Sequence, residues 1–311
     1  MLLGSRPCRL LAGATVLGLV SLVPAGVAQA ASNDGKNAPC APLVPFRSEN
    51  FGDPTRIDNE YLPMVPGTRL TYEGHVTDEG GALPHRVIFT VTDFTKEVDG
   101  VRTRVVYDVD ESDGQLDEAE LAFFAQDDPG NVWSLGEYPE EYENGTFAGA
   151  PDVWLAGLEG ASAGIHMPAD AEDLVRGPEY LQGEAPSIEF LDCAQVAKEN
   201  GTVHVPAGDF RDVLTTHERS PLESTSAIQI KEHAPGVGIV RISARHDPEA
   251  ETLELVSVER LQGSSLRAVN DAVVRLDEHG RKVSDVYRGS SELRRITDGD
   301  VVGDDPDRHD D

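Results

Sequence analysis

The chain has 311 residues and carries 26 Lys and Arg against 56 Asp and Glu, a formal net charge of −30. Nucleic acid and anionic membrane both need a basic footprint on their partner, so this balance excludes them as natural partners. It favours solubility, and it suits cationic ligands and divalent ions.

Residues 1–30 read as a signal peptide. Arg6 and Arg9 give a positive start, an apolar run extends from Leu10 to Val23, and Pro24 ends it. Ala28-Gln29-Ala30 then offers the small-x-small pattern that a signal peptidase cleaves. The run is short of the roughly 20 residues a membrane span needs. The mature chain is therefore expected to start near Ala31 and to be secreted and extracellular, with no membrane span. Cys8 leaves with the leader, and Cys40 and Cys193 remain. In an oxidising compartment these two are expected to form one disulfide. Residues 31–45 read as a flexible leader.

Residues 46–262 read as one β-rich domain. Short runs of alternating apolar residues recur between turn signals, which indicates antiparallel strands rather than βαβ units. Leu70, Tyr72 and Val76 share one face, as do Val87, Phe89 and Val91, and then Val105, Tyr107 and Val109. The stretch 118–125 fits either a strand buried on both sides or a short helix. Pro66-Gly67 and Pro235-Gly236 suit type II turns. Asp99-Gly100, Asp113-Gly114, Asn144-Gly145 and Asn200-Gly201 suit hairpin turns, whose central residues need positive φ. The Gly/Ala/Pro-rich segment Gly149–Glu184 shows no sustained period, so it is expected to be a long ordered loop with one helical turn at 169–174, and a natural rim or gate for a site. Residues 263–295 change to helical periodicity. Ser264 is placed to cap a helix whose stripe is Leu266, Val269, Val273 and Leu276, Gly280 is placed to stop it, and a second short helix fits 283–293. Residues 296–311 hold too little apolar surface to fold and read as a disordered acidic tail.

Two stretches resemble a known group. The segment 59–72, Asn-Glu-Tyr-Leu-Pro-Met-Val-Pro-Gly-Thr-Arg-Leu-Thr-Tyr, is similar to the Y-x-P-L-x-P-G-x-x-W-x-Y opening of many uncharacterised secreted bacterial proteins, with Leu70 where the pattern has Trp. Residues 234–240, Ala-Pro-Gly-Val-Gly-Ile-Val, resemble their A-x-G-V-G-x-V hairpin, and 128–133 also fits. The resemblance implies a fold rather than a reaction. It adds to the mainly β reading a single curved antiparallel sheet, a half-barrel or open barrel-like form, with the C-terminal helix appended.

Several constellations carry candidate chemistry. Asp108, Asp110, Asp113, Asp117 and Glu120 form the densest carboxylate cluster and would suit calcium, the one cofactor the chain suggests. Counted as an EF-hand, its glycine and closing Glu each fall one position late, so the plainer reading is a hairpin turning at Asp113-Gly114 with solvated acids. Gly160-Ala161-Ser162-Ala163-Gly164 matches a nucleophile elbow, with Asp192 or Asp212 and His217 or His233 as partners, but it lacks the strand–turn–helix context that motif needs. Glu137, Glu140 and Glu141 near Trp133 and Tyr138 are candidate glycosidase acids. His204, His217 and His233 lie on successive runs as candidate metal ligands. Phe123, Phe124, Trp133, Trp154 and Tyr180 are the candidate lining of an apolar pocket. The functional expectation is an exported soluble binding protein for a small-molecule or cationic ligand, with an apolar molecule as the first choice. An extracellular esterase or glycosidase, or a calcium-binding secreted protein, are the alternatives, and no residue is assigned a catalytic role.

Overall fold

The computed structural model describes residues 40–78, 80–222 and 226–296. The stretch read as a signal peptide, most of that read as a leader and nearly all of that read as an acidic tail lie outside the described residues. Fifteen strands follow in chain order: β1 Thr68–Asp78, β2 Gly81–Val98, β3 Val101–Ser112, β4 Gln115–Gln126, β5 Val132–Glu143, β6 Thr146–Gly149, β7 Trp154–Leu155, β8 Ser162–Met167, β9 Tyr180–Ala185, β10 Phe190–Val205, β11 Gly208–Arg219, β12 Ile228–Ala234, β13 Gly238–Arg245, β14 Thr252–Arg260 and β15 Arg294–Arg295. Two helices, α1 Gly263–Val283 and α2 Asp285–Arg288, precede β15.

The sheet is single, antiparallel and closed. Neighbours run β1-β14-β13-β12-β11-β10-β9-β8-β5-β4-β3-β2, and β1 pairs with β2 as well as β14, completing a barrel of 12 strands. β6 and β7 attach to β5, and β15 attaches to β2. Closure removes the open edges that a half-barrel would expose. The hairpin turns at Asp99, Asp113 and Asn144 take the positive φ expected of them (47°, 50° and 51°), each followed by a glycine of positive φ. Asn200-Gly201 does not turn the chain. It sits within β10 at a run of register irregularities, and the reversal comes later, between β10 and β11.

Segment 149–184 is barrel wall rather than a long loop. It contributes β7, β8 and β9, with one 3-10 turn at 171–174. Its strands are short and glycine-bearing, so no alternation survives in sequence. Glycines serve close approach here: a Cβ on Gly164 would lie 2.4 Å from the Gln182 carbonyl carbon, and one on Gly136 of the facing strand β5 would lie 2.4 Å from the Trp154 oxygen.

Cys40 and Cys193 form the expected disulfide, with Cα atoms 5.8 Å apart. Beside it, Leu181 N–H donates to the Ala41 oxygen at 3.1 Å. Helix α1 packs on the outer face of β2 and β4 through Val269, Val273 and Leu276. Gln262 rather than Ser264 takes the N-cap position, without a side-chain hydrogen bond. Gly280 does not stop the helix. It makes room for Tyr138, whose Cζ would lie 2.6 Å from a Cβ there. The second helix is only the single turn of α2, capped by the Ser284 hydroxyl, which accepts from Tyr287 N–H at 3.2 Å. At the seam between helix and barrel, Lys96 Nζ donates to Asp277 at 2.9 Å and lies 4.4 Å from the Tyr287 ring centre.

Candidate functional site

The barrel interior is acidic on one side. On β3 the valines 105 and 109 face outward while Asp108 and Asp110 point in, because register sets them on the same face as Phe89 and Val87 of β2. Across the next ladder Asp108 stands opposite Glu120, and Asp110 opposite Glu118. All four are at least nine-tenths buried, and the space they enclose does not admit a water molecule. The expectation of solvated acids is therefore overturned. Asp113 sits exposed at the turn, Asp117 is half-buried, and Glu118 takes its place in the nest. The cause is a bulge: a two-residue hairpin at Asp113-Gly114 would pair Asp110 with Asp117, but the register shifts after Glu111. One extra residue flips the face of everything beyond it.

Burial, reinforced by Glu118, pushes the Asp108 carboxyl up to about 8. The same causes raise Asp110 well above the carboxylate range. His85 joins the nest, with Nδ1 3.2 Å from Asp110 and Nε2 3.3 Å from Glu251. The opposite side of the interior holds Lys231 paired to Glu218 at 2.5 Å. Burial raises the Glu218 pKa, but the charge and hydrogen bond of Lys231 outweigh it and hold the group down to about 2. Burial keeps His166 and His233 neutral, at about 4 and about 3. Among the described residues no three His, Cys, Asp or Glu side chains stand ready-placed around a metal ion.

Four of the five aromatic candidates, Phe123, Phe124, Trp133 and Tyr180, belong to the main core and Trp154 to a satellite cluster, each no more than 2% exposed. Phe123 stacks on Tyr287 beneath the helix, and Phe124 meets His166 in the interior at 5.3 Å. Trp133 packs on Phe46 and Phe51 and donates to Asp127 at 2.8 Å. Trp154 stacks on Phe190. Ser162 is exposed at the start of β8, in antiparallel pairing with Glu184. Glu137 and Glu140 alternate to opposite faces of β5; Glu140 accepts from Tyr138, from Tyr142 at 2.8 Å and from His279 at 2.7 Å. Of the three histidines, His204 pairs with Asp209 on the surface, His217 is half-buried, and His233 points inward toward Thr216.

A cavity that sequence reasoning missed lies on the outer face of β3, β2, β1, β14 and β13. It is an open groove of about 820 Å³. Its floor is crossed by a ladder of directly opposed residues, Glu111, Arg86, Glu73, Glu254 and Arg241, which continues beyond the groove to Glu232 on β12. The next row is Pro84, His75, Thr252 and Ser243. Gly114 of the β3–β4 turn and Pro206 of the β10–β11 turn also line it. The latter turn is fastened to β14 by Ala207 N–H, which donates to the Leu255 oxygen at 2.9 Å. Gly74 lets β1 and β14 close up under the floor, since a Cβ there would meet the Thr252 oxygen at 1.7 Å. The signal in sequence was only the outward alternation Glu73, His75 and Glu254; nothing local says that β1 lies between β2 and β14.

No family model matches the chain, and no curated protein sequence matches it. Among solved structures it is similar to a Bacteroides fragilis NCTC 9343 protein named as exported and as having a YmcC-like fold, at 13% identity. It is also similar to a Parabacteroides distasonis ATCC 8503 protein named as a lipoprotein, at 11% identity. Each gives a TM-score of 0.35 over 65% of this chain and 99% of that chain. No helix of the described residues is long and apolar enough to cross a membrane.

Proposed function

We propose that this is an exported binding protein that holds a small ligand in the groove on the outer face of β13, β14, β1, β2 and β3. The groove carries the reading: about 820 Å³ lies within the size range of small-molecule sites, roughly 300–1,000 Å³. Pro84, Pro206 and Val256 supply apolar wall, and charged side chains of both signs supply orientation. Phe123, Phe124, Trp133, Trp154 and Tyr180 are packed against their neighbours, which supports a site on this face over one in the interior. A charged floor favours an amphipathic ligand over a purely apolar one. Export rests on the signal-peptide pattern of residues 1–30, and the Cys40–Cys193 disulfide suits the oxidising compartment that export would reach.

A thermal-shift screen of the mature chain against a metabolite panel, followed by hydrogen exchange, tests the proposal. Hits are expected to protect amides of residues 73–75, 84–86 and 252–256. Stabilising ligands that protect only other segments, or turnover of ester or glycoside substrates without groove protection, would overturn it.

A further inference from the structure

The geometry points to an organic cation, an ammonium or guanidinium group on an apolar body, as the ligand of this groove, seated between Glu73 and Glu254. The inference rests on the groove-binding reading above and names the chemistry of that site. Glu73 and Glu254 are directly opposite on the adjacent strands β1 and β14. Directly opposed side chains in an antiparallel pair have Cβ atoms about 5 Å apart, where like charges repel. Two arginines flank the pair in the same row, Arg86 opposite Glu73 and Arg241 opposite Glu254, but each places its guanidinium on the outer carboxylate. Arg86 lies 3.4 Å from Glu111 on its far side, and Arg241 lies 2.5 Å from Glu232 on its own. Among the described residues no hydrogen bond or ion pair reaches either central carboxylate, so the middle of the ladder is a negative gap between two satisfied ion pairs.

The backbone maintains this gap. Only glycine fits at position 74, so β1 and β14 stay close, and neither carboxylate gains distance by the strands parting. A bound cation would neutralise the pair with charge-assisted hydrogen bonds, the stronger class of such contacts. Thr252 and Ser243 in the neighbouring row offer hydroxyl acceptors for its remaining N–H groups. Val256, Pro84 and Pro206 would cover an aliphatic body. Arg86 and Arg241 at the flanks disfavour a ligand with cationic groups spread along the whole row. The net charge of −30 adds long-range attraction for such a molecule.

Isothermal titration of the mature chain at low ionic strength with hexylammonium, agmatine, 1-hexanol and hexanoate tests the assignment. The two cations are expected to bind and the neutral and anionic probes are not. Added salt is expected to weaken binding. Glu73→Gln and Glu254→Gln should each weaken it tenfold or more. Both sites are solvent-facing, and each variant should melt at or above the wild-type temperature without ligand, because the opposed charges are gone. Equal affinity for 1-hexanol and hexylammonium, unchanged affinity in both variants, a lower melting temperature of the ligand-free variants, or a response to calcium alone would each overturn the cation assignment. If any probe still protects residues 73–75 and 252–256 from exchange, groove binding stands and only the cation assignment fails. If none does, both fall.

Discussion

Replacing Asp108 by Asn should make the protein less sensitive to alkali. Asp108 is 6% exposed, and its carboxyl titrates near 8 in the fold because burial and Glu118 disfavour the charge. An unfolded aspartate titrates near 3.9. The folded state therefore holds a proton that the unfolded state releases between these values. The proton's contribution is complete below about pH 4 and is lost as pH rises toward 8. For an isolated group the slope is about 1.4 kcal/mol per pH unit, or about 6 kcal/mol across the window. Coupling to Glu118 and Asp110 shares the protons among several carboxyls, so about 2–4 kcal/mol is expected from this residue. Asn keeps the shape and the oxygen that accepts from Val109 N–H at 2.8 Å. Urea unfolding at about pH 5 and about pH 8.5 should show the variant gaining on the wild type by that amount. Two stability curves that stay parallel across the range would refute the reasoning, because they would mean that Asp108 is already ionised in the fold.

Gly74→Ala should lower stability by about 1–3 kcal/mol, read from the shift in urea midpoint, because its Cβ would have to displace the Thr252 carbonyl. Loss of groove binding should accompany it. Replacing both Cys40 and Cys193 by Ser opens a loop with a sequence separation of 153 and should cost up to about 5 kcal/mol by chain entropy, seen as a lower melting temperature in non-reducing buffer. Asp277→Ala removes the partner of the buried Lys96 and should destabilise by about 3–5 kcal/mol near neutral pH. Burial has already lowered that lysine to about 8, so the deficit should shrink when chemical denaturation is repeated above this pH and the amine is neutral.

Much of the wall was legible because strand and turn chemistry is local. Asp99-Gly100, Asp113-Gly114 and Asn144-Gly145 turn where their positive φ is cheapest, and Leu70, Tyr72, Val87 and Phe89 share one interior face as their alternation implies. The failures share a different origin. At Asp117 a bulge changes the facing of Glu118 and Glu120, and no residue type there announces it. At Gly280 a helix breaker is retained because the Tyr138 ring, more than a hundred residues away in sequence, needs its space. In 149–184 the glycines that obscure the strand pattern are the ones that let those strands cross closely. Asp108 and Asp110 are close in sequence and in the fold, but their burial is not legible from the residues alone. A polar residue in a strand ordinarily marks the solvent face, whereas here the outward face of β3 is the apolar one.

Residue order by itself determined the features that depend on a few neighbouring positions: the basic-then-apolar pattern of 1–30, the antiparallel strand and turn rhythm, the amphipathic stripe of α1, and the cysteine pair Cys40 and Cys193 available for bonding. Tertiary structure alone decided what the barrel presents to its interior and its surroundings. Bringing β1 between β2 and β14 sets Glu73 against Glu254 and lays out the groove, and the register of β3 on β4 assembles the carboxyl nest. Both arise from backbone pairing between distant segments, where a shift of one residue exchanges inside for outside, and that choice is made by the closing of the whole sheet.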